Sequence, residues 1–302
     1  MAQFKLGNMY YNERGVKQDD VEAVKWYRKA AEQGYAKAQF NLGNMYYNGK
    51  GVKQDDFEAE KWYRKAAEQG HAKAQFNLGL MYSNGQGVKQ DYFEAVKWYR
   101  KAAEQGDAKA QAILGMMYSE GIGIKQDDFE AVKWYRKAAE QGDLRAQFNL
   151  GTMYSEGIGI KQDDVEAVKW YRKAADQGDS KAQATLGIMY SEGRGIKQDD
   201  FEAVKWYRKA AEQGYAIAQA NLGSMYYNGR GVKQDYFKAV KWFSKAADQG
   251  DAKAQVLLGL AYIFEKGVQF NKSLAKEWFS KACDNGEQTG CEYFSKLNSG
   301  EH

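Results

Sequence analysis

Residues 35–70 carry two helical patterns separated by a short break. Ala38, Leu42, Met45 and Tyr46 are spaced to share one helical face. The spacing predicts a first helix from about Ala36 to Asn48. Gly49 and Gly51 stop it, with Gly49 placed for a left-handed C-terminal cap. A second helix starts near Asp55. Asp55 and Glu58 have the spacing of a capping box, in which two side chains satisfy each other's orphan N–H groups. Phe57, Ala59, Trp62, Tyr63 and Ala66 form the expected buried stripe, and Gly70 closes the helix. Gly43 inside the first helix costs about 1 kcal/mol relative to Ala. The cost is tolerable if the missing side chain lets a neighbouring helix approach. Trp62 and Tyr63 are the large side chains expected to fill the space between hairpins.

The same pattern returns along the chain. Trp26, Trp62, Trp98, Trp134, Trp170, Trp206, Trp242 and Trp278 are each 36 residues apart, and Gly7, Gly43, Gly79, Gly115, Gly151, Gly187, Gly223 and Gly259 keep that period. A period of this size means a solenoid, a propeller or an array. A propeller blade needs four short strands rich in β-branched residues, and segments such as Glu58–Gln69 are rich in Ala, Glu and Lys instead. The class is therefore all-α, a solenoid of helix-turn-helix hairpins.

Composition changes this picture little. The 44 basic and 40 acidic side chains leave a net charge of +4 over 302 residues, too weak to suggest a nucleic-acid or membrane surface. There is no Pro, where average usage gives roughly 15, and its absence permits long helical content. No run of 18 apolar residues marks a transmembrane helix. Met1 is followed at once by Ala2-Gln3-Phe4, already part of a repeat. A removed leader and an excised fragment both fit that opening.

Ala38-Gln39-Phe40-Asn41-Leu42-Gly43, Met45-Tyr46, Gly49-Lys50-Gly51-Val52 and Trp62-Tyr63-Arg64-Lys65-Ala66-Ala67-Glu68-Gln69-Gly70 resemble the Sel-one-like repeat family, from Ala2 to Cys291. The resemblance implies a tetratricopeptide-like, right-handed superhelix of about 17 helices, first helices lining a concave groove and second helices covering the convex side. It implies one domain of eight repeats, 1–34, 35–70, 71–106, 107–142, 143–178, 179–214, 215–250 and 251–286, with a closing helix over 287–302 whose Cys291, Phe294 and Leu297 face inward. It also implies an adaptor or scaffold for other proteins, of a kind often exported in bacteria. The end repeats depart from the pattern. Glu13 stands at a cap position held by Gly elsewhere, and Phe264-Glu265-Lys266-Gly267 and Asn271-Lys272-Ser273 replace Gly-x-Gly and Asp-Asp-Phe. End repeats have only one neighbour, so atypical ends are expected. A cysteine-rich branch of the family joins its helices by cysteines at the spacing of Cys283 and Cys291. The resemblance thus implies a disulfide at the C-terminal cap and a periplasmic or secreted location. Two small buried thiols in a cytoplasmic protein are the alternative.

Little in the chain suggests chemistry. The Gly-x-Gly-Val loops follow no strand and precede no Lys-Ser/Thr pair, so they read as hairpin turns rather than phosphate loops. His71 lies at a turn position held elsewhere by Asp107 or Tyr35, and His302 lies in the tail. No Ser-His-Asp or Cys-His set assembles, and two cysteines with two scattered histidines do not make a zinc site. An enzyme, a metal and a cofactor are not expected. Reading RNA with one base per repeat needs a basic groove, and Glu120, Glu156 and Glu192 fall on the predicted groove side. A structural spacer is the other reading. Such a spacer stacks end to end through an exposed first repeat with Phe4, Leu6 and Tyr10, and the expected state of the chain is a monomer or a weak end-to-end dimer.

Differences between repeats are read as a binding face, with drift on a solvated surface as the alternative. Leu42, Gly43, Tyr46 and Trp62 recur almost everywhere. The Asn44 position becomes Leu80, Met116, Thr152, Ile188, Ser224 and Leu260. The Phe40 position becomes Phe76, Ala112, Phe148, Ala184 and Ala220. Tyr47 becomes Ser83, Ser119, Ser155 and Ser191, then Tyr227, and Asn48 becomes Asn84, Glu120, Glu156, Glu192 and Asn228. These positions share one helical face, which the match to tetratricopeptide repeats places on the groove. Leu80, Met116 and Ile188, flanked by Phe76, Phe148 and three glutamates, suit an extended or helical peptide bearing basic side chains. The expectation is a protein or peptide ligand, with no nucleic acid and no membrane span.

Overall fold

The computed structural model describes residues 1–299; His302 and the end of the expected tail lie outside the described residues. Among the described residues there are 17 α-helices and no strand. They form two compact units, Met1–Met153 with Ile158–Lys161, and Tyr154–Gly157 with the chain from Gln162 onward. The first contains α1 (Ala2–Tyr11), α2 (Asp20–Glu32), α3 (Ala36–Asn48), α4 (Asp56–Glu68), α5 (Ala72–Asn84), α6 (Tyr92–Glu104), α7 (Ala108–Glu120), α8 (Asp128–Glu140) and most of α9 (Leu144–Glu156). The second contains α10 (Asp164–Asp176), α11 (Ser180–Glu192), α12 (Asp200–Glu212), α13 (Ala216–Asn228), α14 (Tyr236–Asp248), α15 (Ala252–Ile263), α16 (Lys272–Asp284) and α17 (Gln288–Ser299). Within each unit, from α1 to α8 and from α10 to α17, every helix packs on the helices just before and after it.

The hairpin closes as its spacing predicts. Gly49 caps α3 in the left-handed region (φ 63°), and Asp55 caps α4, its carboxylate accepting from the N–H groups of Phe57 and Glu58 at 3.0 Å each. The expected reciprocal capping box is not formed. The Glu58 carboxylate instead accepts from Lys61 Nζ (2.9 Å) and Trp62 Nε1 (3.2 Å), while the Asp55 N–H donates to the Tyr46 carbonyl (3.1 Å). The second glycine of Gly-x-Gly serves the joint between repeats. A Cβ on Gly87 (φ 65°) would run into the backbone carbonyl of Asp56, one repeat earlier.

The core also corrects the expected stripe. Ala59, Trp62, Tyr63, Ala66 and Ala67 are buried, but Phe57 is 66% exposed. At about 100° per residue, Phe57 points well away from both Trp62 and Tyr63 and shares a face with Lys61. Phe93, Phe129, Phe201 and Phe237 are exposed at the same place in their repeats. Trp62 packs onto Ala30, Ala31 and Ala38 of the preceding joint. Gly43 is the space for Tyr63, since a Cβ there would lie 2.7 Å from the ring. Gly7, Gly79, Gly115, Gly187, Gly223 and Gly259 likewise admit the aromatic ring of their own hairpins.

One polar link recurs at the joints. Gln39 Nε2 donates to the Ala31 carbonyl (3.1 Å), and its Oε1 accepts from Gln69 Nε2 (2.6 Å). In the second unit Gln255 repeats it on the Ala247 carbonyl (3.1 Å). One repeat further on, Cys291 stands where Gln255 stood and Cys283 where Ala247 stood. Their sulfurs are bonded, with Cα atoms 4.6 Å apart. At the last joint a covalent bond replaces the hydrogen bond. Ser295 occupies the place of Gly259, which receives the Phe279 ring.

Candidate functional site

The variable positions fall on the first helix of each hairpin, and the two units hold separate sets. In the first unit, Phe40 is half-buried, stacked on His71 (centroids 4.7 Å apart) and tilted against Tyr63 (5.9 Å). Asn44 is half-buried and accepts the Tyr63 hydroxyl at 2.7 Å. The Tyr47 hydroxyl donates to Gln86 Oε1 at 3.3 Å, and the exposed Asn84 donates to the same atom at 3.3 Å. Phe76 lies 5.8 Å from Tyr99, and Leu80 beside it is half-buried. Met116 is 37% exposed and Glu120 is exposed. Phe148 and Thr152 are half-buried, with Thr152 Oγ1 donating to the Phe148 carbonyl (3.2 Å). In the second unit, Glu156 and Glu192 are exposed and Ile188 is half-buried. Ser224 donates to the Ala220 carbonyl (3.0 Å), and Tyr227 packs edge-on to Tyr236 (5.0 Å).

The face expected to be open is therefore mostly half-buried, because it also seats the tyrosines of the second helices. Ala184 and Ala220, at the Phe40 position, are buried outright. Burial pushes Tyr27 and Tyr135 up to about 12, partly offset by hydrogen bonds from Asn41 and Asn149. Burial raises Tyr63, Tyr99 and Tyr207 as well. Phe4, Leu6 and Tyr10 of the first repeat are likewise half-buried. No group of three or more metal-ligating side chains gathers among the described residues, and none of their helices is long and apolar enough to cross a membrane.

The Sel1 repeat model matches residues 1–35, 36–71, 72–107, 108–143, 144–179, 180–215, 216–251 and 252–287, one residue out of step with the divisions drawn from the tryptophan period. The chain belongs to the Sel1 repeat family. It is similar to a Sel1 repeat protein from Oxalobacter formigenes, at 37% identity over 98% of this chain and 86% of that one, with a TM-score of 0.74. It is also similar to c5321, a protective antigen present in uropathogenic Escherichia coli strains and displaying an SLR fold. There the identity is 36%, the cover is 100% of this chain and 80% of that one, and the TM-score is 0.55. Comparison with curated proteins finds no match. Sel1 repeat proteins are generally protein-interaction scaffolds, and the family is typically non-catalytic.

The Sel1 repeats also differ at the turn position of His71, which the sequence pattern marks as a turn and not as part of a site. Four first helices are capped by a carboxylate. Asp107, Asp143, Asp179 and Asp251 each accept an N–H three residues on, at 2.7–2.9 Å. Tyr35 and Tyr215 give no side-chain cap, and His71 caps through Nδ1 (3.3 Å from the Ala74 nitrogen). Burial, then Lys73 and Lys37, hold His71 below the usual imidazole value. The signal was present in the aligned repeats as Tyr and His among aspartates.

Proposed function

We propose that this Sel1 repeat protein is a non-catalytic scaffold that binds a protein or peptide along the concave face of its first helices. The observation that carries this reading is the contrast between an unvarying joint and a varying first-helix face within one chain. Met116 is a large apolar side chain left exposed on that face, with Leu80 half-buried at the same position one repeat earlier and Glu120 exposed one turn on. An apolar strip with an acidic edge suits a peptide bearing apolar and basic side chains. In the second unit Ile188 and Glu192 repeat the combination. The disulfide supports a periplasmic or secreted location, because such bonds persist in oxidising compartments. Two free thiols in protein taken from its own cell would remove that support.

The test is titration calorimetry with peptides selected from a random display library on the purified protein. Met116→Asp or Leu80→Asp is expected to weaken binding at least about tenfold, or about 1.4 kcal/mol. Helicity is expected to persist, since neither residue belongs to the buried core. Unchanged affinity in both variants would place the site elsewhere, on the second-helix face around Lys61, Arg64 and Lys65.

A further inference from the structure

One cavity in the first unit has a chemistry that the other repeats lack. Phe4, Lys37, Phe40, Asn41, His71, Ala72 and Lys73 line about 430 Å³ between the starts of α3 and α5. Its walls are aromatic. Phe40 stacks on His71, and one repeat earlier Phe4 meets Tyr35 edge-on at 5.0 Å. Its lining carries two ammonium groups and no carboxylate. Neither lysine takes part in an ion pair among the described residues.

The comparison between repeats shows what is special here. Lys109, Arg145, Lys181 and Lys253 stand at the same helix position as Lys37 and Lys73, but each follows a capping aspartate two residues before it. That carboxylate satisfies the helix start and offsets the cation. Where an aromatic cap recurs, at Tyr215, the cation is gone and Ile217 takes its place. Only at 35–37 and 71–73 does a cation keep company with an aromatic cap. The start of α3 is left without a side-chain acceptor. Positive charge and apolar walls therefore converge with no resident anion.

We propose that this pocket is a subsite for a carboxylate-bearing residue next to an apolar or aromatic one in a peptide ligand. The carboxylate sits between Lys37 and Lys73, and its apolar neighbour lies on Phe4 and Phe40. The inference rests on the reading of the first-helix face as a peptide-binding surface, and it gives the ligand a polarity. Acidic character belongs at the first two joints, and basic character belongs beside Glu120.

The probe is a fluorescein-labelled peptide of alternating Glu and Phe, compared with its Gln-Phe analogue by fluorescence anisotropy on the full chain. The acidic peptide is expected to bind at least about tenfold more tightly, with the difference shrinking at high salt. Lys37→Gln with Lys73→Gln is expected to abolish the preference. His71→Asp, which restores the cap used by the other repeats and keeps the helix start satisfied, is expected to do the same. Circular dichroism checks that both variants stay folded. Equal affinity for the two peptides, or an unchanged preference in the two folded variants, overturns the proposal. The two readings fail separately. Ligands lost on Met116→Asp and Leu80→Asp but indifferent to the lysines leave the face in place and remove the subsite. An acidic probe lost with the lysines but indifferent to Met116 and Leu80 keeps the subsite and removes the apolar strip.

Discussion

At the scale of single residues, the joint between Sel1 repeats can be made in two ways. Gln255 reaches the Ala247 carbonyl, whereas Cys291 bonds to Cys283 at the same two places. Breaking the disulfide with Cys283→Ala and Cys291→Ala should destabilise the C-terminal cap by about 2–4 kcal/mol. Cys283→Ala with Cys291→Gln should recover about 1 kcal/mol of that, because the replacement restores the hydrogen bond used at the other joints. Hydrogen exchange of α16 and α17 in the three proteins decides it, and equal protection in both variants would show that the glutamine link does not transfer. The tyrosines make a second prediction. Tyr27 and Tyr135 sit near 12 in the fold because burial disfavours the phenolate, against about 10 in an unfolded chain. A raised acid of this type contributes stability in full below pH about 10 and loses it as pH climbs towards 12. Helicity should therefore fall together with the rise of phenolate absorbance above pH about 10. Complete ionisation near 10 with helicity intact would contradict it. The role of Gly43 was legible because a glycine inside a helix needs a reason. The exposure of Phe57 was not, because hydrophobicity was allowed to outweigh its angular position on the helix.

At the scale of the hairpin, the loop chemistry was legible almost to the residue, since a left-handed position and a capping carboxylate each tolerate few side chains. The prediction here concerns the two hairpins that break the rule. Glu13 (φ 54°) and Glu265 (φ 52°) hold the left-handed place that Gly49 and its counterparts occupy. A side chain there costs about 1 kcal/mol or more relative to glycine. Glu13→Gly and Glu265→Gly should each raise stability by about 0.5–1 kcal/mol after the greater freedom of glycine in the unfolded chain is subtracted. Urea unfolding of each variant checks this, and a lowered midpoint in both would mean that the glutamates make contacts worth more than the strain. The candidate site was harder to read at this scale. Variation along α3, α5 and α7 pointed to exposed ligand positions, but Asn44 spends its side chain on the Tyr63 hydroxyl. A residue that varies because its partner in the next helix has another acceptor looks, in sequence, like one that varies because a ligand touches it. Ser83, which receives no such role at Tyr47, bonds the Tyr99 hydroxyl where Leu80 cannot (3.3 Å).

At the scale of the whole molecule, the 36-residue period made the architecture legible, because an identical joint repeated along a chain admits little besides stacked hairpins. What the period could not disclose is where the repeats stop being equivalent in charge, since that depends on which side chains converge on one cavity. The equivalence of the joints carries the last prediction. Residues 107–142 run from one capping aspartate to the residue before the next, so deleting them joins Gly106 to Asp143 and exchanges one N-cap for an identical one. The new joint would set Gln147 against Ala103, as Gln111 stands in the full chain at 2.9 Å from that carbonyl. Leu150 and Ala146 would replace Leu114 and Ala110, side chain for side chain. The shortened protein should keep its helicity per residue. Its dependence on urea concentration should fall by about an eighth, because that slope scales with the surface exposed on unfolding. Its midpoint should drop modestly, since one set of nearest-neighbour contacts is lost. A shortened chain that loses helicity per residue would mean that repeats three and five do not fit each other, and that the near-identity of the joints conceals a fixed order.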